Sequence, residues 1–270
     1  MLLNIKHHTS YVYDRKVFLE PHHLYFRPLQ RNYLTVKGFD LKVSPSPSGS
    51  STRIDIENNP YEQCWFNSET DHLDIHLELS VETKKFNQFN YFVEETAKTK
   101  YQSAINLYLQ DQVSLEDDMI HWIEQFDRSN RTSFLSSLCN LIHERWDHST
   151  SYKSKLLDPN ACFRSDSGSC RDLSWMMIQI LRYEGYPARF VSGYSHNPEI
   201  DGHELHAWVE TWLPGAGWIG LDPSSGLFTT EFYVPIAASY HPVNTLPVQG
   251  TYRGAVDSKL DTRVEITTIK

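Results

Sequence analysis

The stretch Gly168-Ser169-Cys170-Arg171-Asp172-Leu173-Ser174-Trp175-Met176-Met177 delivers a cysteine to the start of an apolar helix. Small and polar residues precede Cys170. Leu173, Met177, Ile180 and Leu181 then recur at helical spacing, and Gly185-Tyr186-Pro187 stops the run. A thiol in the first turn of a helix faces unpaired backbone N–H groups and the positive end of the helix dipole. Both favour the thiolate. A lone cysteine is also a common buried core residue, so the residues downstream must separate the two readings.

Downstream, Ala188-Arg189-Phe190-Val191-Ser192-Gly193-Tyr194 reads as a buried strand, and residues 195–204 as a polar loop. His206-Ala207-Trp208-Val209-Glu210-Thr211-Trp212 alternates as a strand does. Pro214-Gly215-Ala216-Gly217 turns the chain, and Trp218-Ile219-Gly220-Leu221-Asp222 returns it. In an antiparallel hairpin the start of the first strand lies beside the end of the second, so His206 and Asp222 are expected as neighbours. A carboxylate beside an imidazole fixes its tautomer and leaves the other ring nitrogen free to take the thiol proton. The predicted chemistry is attack of the Cys170 thiolate on a carbonyl carbon, through an oxyanion to a thioester. The backbone N–H of Cys170 is one expected oxyanion donor. Trp146, Asn160 and Ser169 are the candidates for a second.

Each of these residues also has a plainer role. A histidine at a strand start is often structural, and Asp222 before Pro223 is a turn signal. Asp172 lies on the nucleophile's own helical turn, where with Arg171 it is expected to hold the helix start by salt bridging. His203-Glu204-Leu205-His206 lacks the helical spacing of zinc-binding histidines and is set aside as a metal site.

Upstream of Cys170 the polar residues 148–169 are expected to form a wall or lid. Before them, Leu115, Met119, Trp122, Ile123 and Phe126 fit a helix capped at Ser114. Phe134, Leu135, Leu138, Leu141, Ile142 and Trp146 fit another, capped at Asn130 or Thr132. Residues 1–92 read as strands, of which Leu73-Asp74-Ile75-His76-Leu77-Glu78-Leu79-Ser80-Val81 has the clearest alternation. One face buried and one wet means an antiparallel sheet or sandwich. A turn is expected at Asn58-Asn59-Pro60. His7-His8 and His22-His23 point to opposite faces within each pair, so neither is a ready chelate; they are expected to be surface or half-buried residues. The tail beyond Gly254 is polar and expected to be peripheral.

The formal charge of −9 over 270 residues argues against nucleic-acid or anionic-membrane partners. No stretch has the length of a membrane span, and the first residues lack the pattern of a secretory signal, so the expected location is the cytoplasm. Cys64, Cys139, Cys162 and Cys170 show no paired spacing for disulfides or zinc. Trp175, Trp208, Trp212 and Trp218 fall within the catalytic segments. Trp208, Trp175 and Ser169 are the residues expected to contact substrate.

Taken together, these segments resemble the bacterial transglutaminase-like family, a branch of the papain-like cysteine enzymes. Gly-Ser-Cys170-Arg-Asp with its apolar helix resembles the family's nucleophile segment. Residues 182–194 resemble the strand that follows. His206-Ala207-Trp208-Val209-Glu210 and Gly217-Trp218-Ile219-Gly220-Leu221-Asp222-Pro223 resemble the histidine and aspartate segments, in the family's order. His8-Thr9-Ser10-Tyr11-Val12-Tyr13 and Leu24-Tyr25-Phe26-Arg27-Pro28 are similar to the β domain that precedes the core. The resemblance implies an α+β fold: a nucleophile helix on an antiparallel sheet over residues 93–254, a β-sandwich-like domain over 1–92, and a tail over 255–270. It implies Cys170 as nucleophile, His206 as base and Asp222 as orienting acid, with no metal or cofactor and a peptide or protein amide as substrate. Hydrolysis and transamidation both remain open. The alternatives are a non-catalytic binding protein that keeps the scaffold and, from aromatic richness alone, a carbohydrate-binding β domain.

Overall fold

Alternation in the first third of the chain folds into two antiparallel sheets. The computed structural model describes residues 1–94, 97–110, 112–148, 155–196 and 205–269. Its first strands are β1 (Leu2–Leu19), β2 (His22–Leu24), β3 (Leu34–Ser44), β4 (Gly49–Ile54), β5 (Pro60–Trp65) and β6 (Glu69–Thr83). β6 buries Leu73, Ile75, Leu77, Leu79 and Val81 and leaves the residues between them wetter, as its alternation requires. β1 pairs with β6 along most of its length, and β3 takes β6's other edge. The expected turn closes at Asn58, whose φ of 66° is left-handed.

The helical part comprises α1 (Ala97–Ile105), α2 (Asp117–Glu124), α3 (Arg131–Arg145), α4 (Pro159–Phe163) and α5 (Cys170–Tyr183). Asn130 caps α3 by accepting the Ser133 amide at 2.9 Å, as expected. α2 instead starts after Glu116, two residues beyond the predicted Ser114. The polar segment expected to be a loop contains α4 and two short parallel strands, β7 (Asp147–His148) and β8 (Ser167–Gly168).

The C-terminal half is built on a sheet of β9 (Ala188–Ser195), β10 (Leu205–Leu213), β11 (Gly217–Asp222), β12 (Leu227–Phe228) and β13 (Tyr233–Ser239), in the order β12-β11-β10-β9-β13. One face takes α5: Leu173, Met176, Met177, Ile180 and Leu181 share a core with Ala207, Val209 and Leu221. Each such fully buried side chain contributes roughly 1.5–3 kcal/mol. Further along the sheet, Tyr194, Val234 and Ile236 share a core with Leu3, Ile5 and Leu24 of the N-terminal strands, and on the face away from α5 Leu29 packs with Val191, Trp208, Tyr233 and Ala238. β9 is thus covered on both sides, by α5 at Ala188 and Phe190 and by Leu29 at Val191. β13 is buried at all seven positions and so shows no alternation to read.

Two side-chain clamps lock the halves together. Glu210 on β10 accepts from Arg31 at 2.7 Å and from Arg189 at 2.6 and 2.9 Å. Burial would push the Glu210 carboxyl up, but the two guanidinium groups override it and hold it at about 2. Asn59 exchanges two hydrogen bonds with the backbone of Ala238, at 2.7 and 2.9 Å, and so covers the edge of β13.

Two expectations are corrected here. The tail is not peripheral, and the division after residue 254 does not hold. β14 (Val248–Gln249) pairs with β2, β15 (Tyr252–Arg253) with the end of β1, and β16 (Ser258–Ile269) with β1 from Leu2 to Tyr13. Among its described side chains β16 buries only Val264 and Ile266, so its sequence reads as polar. Nor are the first histidines of the two pairs surface or half-buried residues. His7 and His22 are buried, and His7 joins Tyr194 at 2.9 Å to Thr262 of β16 at 3.1 Å.

Ile266→Ala should therefore destabilise the protein by about 2–4 kcal/mol in urea denaturation. An unchanged midpoint would mean that β16 adds nothing to the fold.

Candidate active site

Cys170 is the first residue of α5, and the residues around it are committed to holding that end. Ser169 is the N-cap: its hydroxyl accepts the Asp172 amide at 3.3 Å and donates to Asp172 Oδ2 at 2.5 Å. Asp172 Oδ2 also accepts the Ser169 amide at 3.0 Å, which completes a capping box. Asp172 Oδ1 takes the Leu157 amide at 2.9 Å, tying the preceding segment to the helix. Asp172 therefore holds the helix start by capping, where a salt bridge was expected. A Cβ at Gly168 would come within 2.9 Å of the Leu173 side chain, which would have to shift for any larger residue there.

His206 and Asp222 come from the hairpin, as the register expects. The ladder's last pair is Val209 with Leu221. One step further, Asp222 falls opposite Trp208, with His206 diagonal to it on the same face. His206 Nε2 meets Asp222 Oδ2 at 2.8 Å. Asp222 is 1% exposed and accepts three further hydrogen bonds. Tyr233 Oη donates to Oδ2 at 2.8 Å, and the Ser224 hydroxyl and amide donate to Oδ1 at 2.6 and 3.0 Å. Sequence reading missed Tyr233 and Ser224. Ser224 follows the recognised Asp222-Pro223 turn, but Tyr233 belongs to β13, which had no readable pattern.

The electrostatics follow from these contacts. Burial would raise the Asp222 carboxyl, yet His206 and the hydroxyl donors hold it far below the usual range. Burial would lower His206, but Asp222 and Cys170 outweigh it and favour the imidazolium. Burial would raise the Cys170 thiol, but hydrogen bonds from His148 and His206 bring it down to about 6. Near neutral pH the arrangement holds a thiolate beside the His206 imidazolium. Such a sulfur is a strong nucleophile toward an electrophilic carbon.

The expected substrate contacts and second oxyanion donors have other roles. Trp208 is 1% exposed and packs over Gly193 and against Tyr233, forming the floor beneath His206. Trp175 is buried between His241 and Arg182. Ser169 is used in the cap. Trp146 Nε1 donates to the Cys162 carbonyl at 3.0 Å. Asn160 bonds the Ser114 carbonyl and the Glu116 amide, both at 3.0 Å. Trp218 stacks under Arg189 and against Tyr108. His203 and Glu204 lie outside the described residues.

Residues 120–223 match the transglutaminase-like superfamily, and residues 3–82 match the bacterial transglutaminase-like N-terminal region. The chain thus pairs a bacterial transglutaminase-like N-terminal region with a transglutaminase-like core. An uncharacterized protein of Mycobacterium leprae is 33% identical over 107 residues, 37% of each chain. A protein-glutamine gamma-glutamyltransferase of Pseudomonas aeruginosa is 39% identical over 70 residues, 23% of this chain and 10% of that one. The chain thus spans little more than a third of the first relative and a tenth of the second. A candidate cysteine protease from Cytophaga hutchinsonii shares the whole transglutaminase-like architecture. Its TM-score is 0.72 at 16% identity, over 100% of this chain and 92% of that one.

The four cysteines differ in a way that labelling can read. Burial pushes the Cys64 thiol up to about 11 and the Cys162 thiol up to about 12, and also raises Cys139. Iodoacetamide at pH 7 should label Cys170 alone, with a rate half-maximal near pH 6. Peptide mapping across pH checks this; labelling of Cys170 that begins only above pH 8 contradicts it.

Proposed function

We propose that this protein is a cysteine acyl-transfer enzyme acting on amide bonds, with Cys170 as nucleophile, His206 as acid–base and Asp222 as orienting acid. The observation that carries the reading is the chain of contacts from Cys170 to His206 to Asp222, with Asp222 on the ring nitrogen remote from the thiol. That arrangement matches the roles the chemistry requires.

The steps follow from the groups present. The Cys170 thiolate attacks the amide carbon, and the carbonyl electron pair moves to oxygen. The His206 imidazolium donates its proton to the leaving nitrogen as the C–N bond breaks, which leaves a thioester on Cys170. A second nucleophile, activated by the now neutral His206, attacks the thioester and restores the thiolate. Asp222 keeps its charge throughout, and Tyr233 and Ser224 keep it oriented.

Water as the second nucleophile gives amide hydrolysis; a primary amine gives transamidation. The glutamyltransferase of Pseudomonas aeruginosa lends support to a glutamine side chain as acyl donor, since its similarity falls in a 70-residue segment of high identity.

The test is intact-mass analysis of glutamine-containing peptides incubated with wild type and with Cys170→Ala, with and without a primary amine. Loss of ammonia with incorporation of the amine is expected for transamidation, and cleavage or deamidation for hydrolysis, each absent in Cys170→Ala. No Cys170-dependent product with any peptide would sink the enzymatic reading in favour of a binding scaffold.

Asp222→Asn should lower kcat by on the order of 10³–10⁴ with little change in KM, because the amide favours the wrong imidazole tautomer. Steady-state kinetics on whichever peptide reacts would read this. A loss under tenfold would remove Asp222 from the machinery.

A further inference from the structure

The candidate site contains a second imidazole that the Cys-His-Asp chemistry does not use. His148 ends β7, and its strand partner across the parallel bridge is Gly168, two residues before Cys170. The bridge is fixed from both sides. Trp146, just ahead of β7, is buried and anchored to the Cys162 carbonyl, and Gly168 is packed closely against the Leu173 side chain. This places the His148 ring within hydrogen-bonding reach of the Cys170 sulfur. His206 is half-buried, whereas His148 is exposed.

A tetrahedral intermediate needs donors for its oxygen. The Cys170 amide is one, since first-turn N–H groups have no intrahelical acceptor. Every other side chain expected for this task is already engaged: Trp146 with Cys162, Asn160 with Ser114 and Glu116, Ser169 with Asp172. His206 must give its free ring nitrogen to the leaving group, because Nε2 is held by Asp222.

We propose that His148 is the side-chain oxyanion donor of this site, holding the Cys170 sulfur at rest and the substrate's carbonyl oxygen in the tetrahedral intermediate. The assignment rests on the reading of Cys170 as the nucleophile. As the sulfur lone pair forms the S–C bond, the sulfur loses its negative charge and the carbonyl π pair places that charge on oxygen. The His148 N–H then follows the charge from sulfur to oxygen. When the C=O bond re-forms and the amine departs with the His206 proton, His148 still carries its own proton. The hydrogen bond to Cys170 favours the protonated form of His148, Asp222 adds to this, and the neighbouring His206 opposes it. A hydrogen bond from a protonated ring is stronger than one from a neutral ring.

Two reactions of the same sulfur separate the possibilities in the full chain. Alkylation by iodoacetamide forms an S–C bond and expels iodide without an oxyanion. Acylation by p-nitrophenyl acetate passes through one before nitrophenolate leaves. His148→Phe keeps a ring of similar size and removes the donor. It should slow acylation roughly 10²-fold more than alkylation at the same pH. His148→Gln, which keeps an N–H donor, should recover most of that difference. Equal slowing of the two reactions by His148→Phe, or no slowing, overturns the proposal while the nucleophile stands. If wild-type Cys170 alkylates only as an ordinary thiol does, above pH 8, the nucleophile reading falls and the donor with it.

Discussion

The buried carboxylate of Asp222 is the constraint on which the site depends. A carboxylate almost removed from water costs several kcal/mol unless donors replace its hydration. Here they come from four directions at once: His206, Tyr233, and the amide and hydroxyl of Ser224. Each fixes a different piece of chain. His206 marks the start of β10, Ser224 the turn after β11, and Tyr233 the start of β13. Satisfying one charge thus aligns three elements, and it leaves the second nitrogen of His206 directed at the sulfur.

That alignment needs a rigid sheet, and the N-terminal strands supply half of its cover. β9 packs on α5 through Ala188 and Phe190 and on the N-terminal region through Val191 and Tyr194, and β13 joins that N-terminal packing through Val234 and Ile236. The Glu210 clamp to Arg31 and Arg189 and the Asn59 grip on Ala238 fasten the two layers. β16 returns to β1, so the first and last strands of the chain complete one sheet. The N-terminal region is therefore part of what holds the site, and is more than an appended module.

Much of this was legible in the sequence because local pattern and final structure agree. The apolar spacing after Cys170 is the buried face of α5. The alternation from His206 to Asp222 is a real hairpin, and its register predicts the 2.8 Å contact between the two residues. The parts that could not be read fail for physical reasons. β13 is buried at all seven positions and carries Pro235 at a sheet edge, so it shows neither alternation nor strand propensity. β16 exposes most of its side chains and reads as a polar tail. Trp208, Trp175 and Ser169 have the chemistry of substrate contacts but are used for packing and capping. His148 has no local signature, since a two-residue bridge to Gly168, twenty positions on, is what brings it to the sulfur.

The central claim is that His206 is an imidazolium paired with a Cys170 thiolate near neutral pH. The most direct measurement is the nitrogen NMR spectrum of the His206 ring at pH 7.5, in wild type and in Cys170→Ser. The account predicts that both ring nitrogens are protonated in wild type, and that the serine variant, with no anion beside the ring, titrates at lower pH. A neutral His206 in wild type at that pH, unchanged by the substitution, would contradict it.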